Sequence, residues 1–145
     1  MEKMKHFLLV DDSNATNFFN KTIIKKTECV EEVLIAKNGK EALDYIKSGI
    51  SPEILFLDIN MPIMGGWEFL KEFQKLDSDL KKSIVIVLMI GAKLSEEEME
   101  KAKSFSEIKE FQEKMLTKNI VCNLVTKYYG NSISKVCNEL SGLIS

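Results

Sequence analysis

Two kinds of apolar pattern alternate along this chain. Short apolar runs occur at Phe7-Leu8-Leu9-Val10, Val33-Leu34-Ile35-Ala36, Ile54-Leu55-Phe56-Leu57, Ser83 to Ile90 and Ile108 to Phe111. Their length and their β-branched and aromatic content predict strands, and the unbroken apolarity of the third and fourth predicts burial on both faces of a parallel sheet. Between the runs, apolar residues recur every three or four positions, which predicts helices. The first helix spans Ser13 to about Thr27 with Phe19 and Ile23 facing inward, and the second carries Ala42, Leu43 and Ile46 and stops at Ser48-Gly49. The third follows Gly65-Gly66 with Trp67, Leu70, Phe73 and Leu76. Ser95 and Glu98 form a capping box that opens a fourth helix to about Lys103, and a fifth runs from Leu116 with Ile120, Leu124 and Val125 inward.

Strand and helix thus alternate five times with short connections and no hairpin signals. That order predicts an α/β fold with an open five-stranded parallel sheet and helices on both faces. Beyond Tyr128-Tyr129-Gly130-Asn131, the residues Ile133, Val136, Cys137, Leu140, Leu143 and Ile144 are spaced as one apolar helical face. Residues 1–130 are therefore expected to form the main domain and 131–145 a C-terminal amphipathic helical extension. The extension is expected to fold back on the flank of the sheet, with docking or dimerisation as the alternative.

Composition narrows the classes of function. A chain of 145 residues with 45% hydrophobic and 29% charged residues is the size and make-up of one globular domain. Its longest apolar run, Ile84 to Ile90, is too short to cross a bilayer, so no membrane association is expected. The N-terminus leads straight into a strand without the apolar core or cleavage site of a signal peptide, which predicts a cytoplasmic protein. Cys29, Cys122 and Cys137 are odd in number and widely spaced, so reduced thiols are expected rather than a disulfide framework or a zinc cluster. A net charge of −2 and the absence of any arginine speak against a nucleic-acid partner.

The candidate chemistry lies where strands end. Asp11 and Asp12 follow the first strand and Asp58 follows the third. In a parallel sheet these ends can lie side by side, and ligands bind beyond the carboxyl ends of such strands. Three carboxylates in one pocket repel, at a cost on the order of 4 kcal/mol per pair at ~4 Å and an effective dielectric of ~20. A hard cation such as Mg²⁺ offsets this and leaves room for phosphoryl oxygens. Lys114, after the fifth strand, offers a second cation at the same edge.

Taken together, Asp11-Asp12, the block Leu57-Asp58-Ile59-Asn60-Met61-Pro62 with its Gly65-Gly66 turn, and Lys114 followed by Leu116-Thr117 resemble the receiver domain of two-component response regulators, of the single-domain chemotaxis type. The resemblance runs from about His6 to Tyr129 and implies a flavodoxin-like (βα)5 fold. It further implies a stand-alone receiver in which Asp58 accepts a phosphoryl group from a sensor histidine kinase or a phosphotransfer protein. Asp11, Asp12, Asp58 and the backbone carbonyl of Asn60 would hold Mg²⁺. Lys114 and the backbone N–H groups of Ile59 and Ala92 would contact the phosphoryl oxygens, and the signal would pass by binding a downstream protein target that the sequence does not name. Such a chain is no enzyme beyond accepting its own phosphoryl group and slowly losing it. A phosphatase using Asp58 as nucleophile is disfavoured because its proton donor would fall at Asn60, which cannot protonate a leaving group.

Three positions depart from the family pattern. Gly91 stands where the family has Thr or Ser, Met115 where it has Pro, and Phe111 holds the aromatic switch position without a hydroxyl. These departures motivate the alternative, a degenerate receiver that binds its partner independently of phosphorylation because Gly91 replaces the switch hydroxyl. His6, at the start of a strand, is read as structural, Trp67 as helix surface or core, and the methionines as packing.

Overall fold

A computed structural model of the chain describes residues 3–130 and 134–144. Five strands form one all-parallel sheet: β1 (Met4–Val10), β2 (Val30–Ala36), β3 (Ile54–Leu57), β4 (Val85–Ile90) and β5 (Ile108–Glu113), in the order β2-β1-β3-β4-β5. The helices are α1 (Asn14–Lys26), α2 (Gly39–Lys47), α3 (Gly66–Gln74), α4 (Ser78–Lys81), α5 (Glu96–Lys103), α6 (Lys118–Tyr129) and α7 (Lys135–Ile144). The α/β, flavodoxin-like architecture expected from the alternation is present. The extra helix α4 is a single turn, too short to leave a periodic signal.

Alternation along the strands builds two apolar layers. Leu8, Val10, Leu55, Leu57, Ile86 and Leu88 face α2, α3 and α5, where Leu43, Phe69, Phe73 and Ala102 meet them. Phe7, Leu9, Phe56, Val87 and Met89 face the other way, onto Ile24 of α1 and Val121, Leu124 and Val125 of α6. Helix ends follow the caps in the sequence. Ser13, Asn38 and Thr117 each accept a hydrogen bond from the backbone of the first turn they precede, and the reciprocal capping box of Ser95 and Glu98 is complete.

Two expectations are corrected. Helical spacing predicts Phe19 on the inner face of the first helix, but it is 39% exposed and Phe18 more so. Asn17, Asn20 and Ile24 are the buried residues of α1. Helical spacing alone cannot tell which stripe points inward when the inner stripe is polar, and here it is polar because its amides hold loops. The second correction concerns sulfur. Cys122 and Cys137 form a disulfide across a sequence separation of 15, while Cys29 is a buried free thiol. Spacing did not reveal the pair because packing of α7 against α6 brings it together.

Ser134 donates its hydroxyl to the Thr27 carbonyl, which ties the start of α7 to the end of α1. Of the apolar positions read in the extension, Ile133 and the side chains of Leu143 and Ile144 lie outside the described residues. His6 sits 3.3 Å from Glu32 on the neighbouring strand, and Trp67 stacks on Phe105 at the surface of α3, in keeping with structural roles. No helix among the described residues is long and apolar enough to cross a membrane.

Candidate functional site

Strand order decides where the acids meet. Because β1 lies between β2 and β3, the connections leaving the carboxyl ends of β1 and β3 run to opposite faces of the sheet, and a crevice opens between them. Val10 and Leu57 are register partners, and the Asp58 N–H donates to the Val10 carbonyl at 2.9 Å, so Asp11 and Asp58 emerge from adjacent strands. Asp11, Asp12 and Asp58 each offer a carboxylate oxygen, all within 4.8 Å of one another. Asp11 and Asp58 are buried, and Asp12 is exposed.

Lys114 completes the cluster. Its Nζ lies 3.2 Å from Asp58 Oδ1 and 3.5 Å from Asp11 Oδ2. The Asp58 Oδ1 also accepts the Ile59 N–H at 2.9 Å, whereas Asp58 Oδ2 is buried without a hydrogen-bond partner among the described residues. Burial pushes the Asp58 carboxyl above its ordinary range and the Asp11 charge adds to the push, with Lys114 and the Ile59 N–H opposing both. For Lys114, burial alone would lower the ammonium's pKa, but hydrogen bonds and charge from Asp58 and Asp11 outweigh it and hold it up.

Three carboxylates against one ammonium leave the cluster short of positive charge. An all-oxygen donor set with one unpaired buried oxygen fits a hard divalent cation of the Mg²⁺ type.

Neighbouring residues explain why the geometry holds. Gly66 begins α3 directly against the acid's backbone: a Cβ there would lie 2.5 Å from the Asp58 carbonyl oxygen, closer than any side chain tolerates. The Gly65-Gly66 break is thus a close-approach requirement. On the other side, Asn17 Nδ2 donates to the Asp11 carbonyl at 2.7 Å. Asn20 holds the loop after β5 from both ends, donating to the Lys114 carbonyl and accepting the Leu116 N–H, each at 3.0 Å. Neither asparagine was picked out from the sequence. The available signal was their spacing of three on the stripe that continues to Ile24.

Asp58, Ile59, Asn60, Gly91, Ala92 and Lys114 line a cleft of about 430 Å³, together with Lys93 and Glu98. Gly91 is therefore at the site and offers no side chain to it. The Lys114 stem runs across it, so that a Cβ at position 91 would lie 3.1 Å from Lys114 Cδ. Phe111 is outside the cleft and 48% exposed, lining an apolar groove with Ile90, Leu94 and Met99. The loop after Lys114 contains no cis peptide, and Met115 within it is half exposed.

The model of the response regulator receiver domain family matches residues 7–125. The chain belongs to that family. As a receiver it resembles the chemotaxis protein CheY of Thermotoga maritima, with 36% identity over 87 residues that make up 60% of this chain and 69% of that protein. It is 30% identical to two-component response regulator 24 of Arabidopsis thaliana over 122 residues, 83% of this chain and 81% of that one. Among solved structures, a two-component response regulator from Cytophaga hutchinsonii superposes with a TM-score of 0.77 at 31% identity, covering 88% of this receiver and 98% of that chain.

The receiver also matches a protein-glutamate methylesterase/protein-glutamine glutaminase of Methanococcus maripaludis at 38% identity over 72 residues, and spans only 19% of that protein's length. Receiver domains are signalling modules of two-component systems, and the acidic cluster expected for the family is the one the strand ends assemble here.

Proposed function

We propose that this receiver accepts a phosphoryl group on Asp58 from a phosphohistidine of a sensor histidine kinase or phosphotransfer protein, and then signals by binding a downstream protein. The observation that carries the reading is the convergence of Asp58, Asp11, Asp12 and Lys114 at one sheet edge, with Asp58 Oδ2 unpaired. In the transfer, an Asp58 carboxylate oxygen attacks phosphorus, the bond from phosphorus to the imidazole nitrogen breaks, and that nitrogen keeps the electron pair. An acyl phosphate results.

Asp11, Asp12, Asp58 and the Asn60 carbonyl would hold Mg²⁺, which supplies charge to the equatorial phosphoryl oxygens. Lys114 is poised to give up its contact with the carboxylate for one with those oxygens, and Ile59 and Ala92, whose backbone N–H groups would also contact them, line the same cleft. The reaction needs positioning and positive charge rather than a separate acid or base, and the site provides both. On this reading the chain works in the cytoplasm, beside its phosphodonor. The division into a receiver at 1–130 and a helical extension at 131–145 belongs to the same reading.

Incubation with Mg²⁺ and acetyl phosphate, followed by intact mass, tests it. One added phosphoryl group, absent without Mg²⁺ and absent in Asp58→Asn, is expected; no adduct on the parent chain contradicts it.

Gly91 favours a second reading, in which partner binding does not depend on phosphate. A receiver lacking the hydroxyl beside its phosphoryl site has lost one contact that distinguishes the two states, and the Lys114 stem occupies the space. Equal affinity of a captured partner for phosphorylated and unphosphorylated chain would establish that reading instead.

A further inference from the structure

We propose that Cys122 and Cys137 form a reversible dithiol–disulfide site that clamps α7 to α6, with a low-molecular-weight disulfide of the oxidised-glutathione type as its oxidant. The two residues sit on different helices with Cα atoms 5.2 Å apart, within the span a disulfide bridges without moving backbone. Each is only 4% exposed.

Besides the sulfur bridge, α7 packs against α6. Among the described residues, its N-terminal turn is tied to the body by one hydroxyl: Ser134 Oγ donates to the Thr27 carbonyl and accepts the Cys137 N–H at 3.3 Å. No described residue of α7 belongs to either apolar layer, whereas Val121, Leu124 and Val125 of α6 do. Loss of the bridge therefore loosens α7 while leaving the described members of both apolar layers in place.

The third cysteine stands apart. Cys29 is fully buried in the layer between the sheet and α1/α6, its Sγ lies 2.9 Å from Thr27 Oγ1, and burial pushes its thiol pKa up. An apolar, enclosed thiol is a poor nucleophile, which leaves the other two as a self-contained pair.

The exchange balances as two displacements. With α7 lifted, the Cys137 thiolate attacks one sulfur of the oxidant, the oxidant's S–S bond breaks, and one small thiol leaves. The Cys122 thiolate then attacks Cys137 Sγ of the mixed disulfide and expels the second small thiol. Two cysteines lose two electrons and two protons, and the oxidant gains both as two thiols. The clamp so formed joins α6 to a helix whose other anchor is the C-cap of α1. These are the two helices that embrace the Lys114 loop.

The test equilibrates the full chain in mixtures of reduced and oxidised glutathione, blocks free thiols under denaturing conditions, and reads intact mass and the peptide map. Amide hydrogen exchange is run on the two end states. In the oxidised state only Cys29 should be blocked and a peptide linking positions 122 and 137 should appear; in the reduced state all three cysteines should be blocked. Reduction should speed exchange of amides 135–140 roughly tenfold or more. Cys137→Ser should show the fast exchange in both buffers, and Cys29→Ser should behave as the parent. Absence of the link, a link through Cys29 or between chains, or exchange in α7 that ignores the redox state would overturn the proposal.

Discussion

Asn20 on α1 holds the backbone of Lys114 from 94 residues away, its Nδ2 3.0 Å from the Lys114 carbonyl. Its Oδ1 takes the Leu116 N–H at the same distance. The amide thus sets the position of the loop that delivers the ammonium to Asp58. Asn20→Ala leaves a buried donor and a carbonyl unpaired, at a cost of about 1–3 kcal/mol for such a group. Chemical denaturation should show that loss, and phosphoryl uptake should slow because Lys114 is no longer held. Asn20→Asp keeps the acceptor for Leu116 and should fall between the two.

How much of this was legible in the sequence divides along a physical line. Strand-terminal acids, the capping box at Ser95 and the Gly65-Gly66 break are local signals, and each led to the right element. Asn17 and Asn20 were invisible because their partners lie on other loops, and a polar inner stripe reads as a solvent face. Phe19 reads as inward-facing for the same reason. The sulfur bridge escaped because approach of α7 to α6 is a tertiary fact that spacing does not encode.

Asp58 gives a pH dependence with a definite sign. Its folded pKa is raised above the ordinary value of 3.8 by burial first and by Asp11 second. A group of that kind contributes stability that is complete below its unfolded pKa and is lost as pH rises through its folded pKa. Relative to Asp58→Asn, the metal-free parent should therefore lose stability as pH climbs from near 3.8 through the raised value. Asp58→Asn should remove this fall, giving a higher denaturation midpoint than the parent at neutral pH without Mg²⁺. Addition of Mg²⁺ should stabilise the parent and do much less for the variant. A difference between parent and variant that does not grow across that window contradicts the assignment.

Gly66 is required by the approach of α3 to the acid's backbone. In Gly66→Ala the new methyl group meets the Asp58 carbonyl oxygen at 2.5 Å and Ile59 Cα at 2.9 Å, so backbone must shift. Overpacking of this kind costs roughly 1–3 kcal/mol. The displaced acid should also bind Mg²⁺ more weakly, which a titration followed by Trp67 fluorescence can report. Unchanged stability and metal affinity would show that the contact is relieved without moving Asp58.

At Gly91 the new side chain should be accommodated. The nearest neighbour of a Cβ there is the flexible Lys114 stem at 3.1 Å, so Gly91→Thr is expected to fold normally. Its hydroxyl would reach the phosphoryl site, where a hydrogen bond to a charged group is worth about 1.5–3 kcal/mol. That favours the phosphorylated conformation about ten- to a hundredfold more strongly than glycine does. Amide chemical shifts of Ala92 to Leu94, with and without phosphorylation, are the measure. Identical responses in the parent and the variant would clear Gly91 of any uncoupling role.

The central claim is that Asp58 itself becomes the acyl phosphate. Borohydride reduction of chain treated with Mg²⁺ and acetyl phosphate, followed by peptide mapping, tests it most directly, because the reagent converts an aspartyl phosphate to homoserine. Homoserine at position 58 alone, dependent on Mg²⁺ and strongly diminished in Lys114→Ala, is the predicted result. Homoserine at Asp11 or Asp12, or an adduct that borohydride does not convert, would contradict the account.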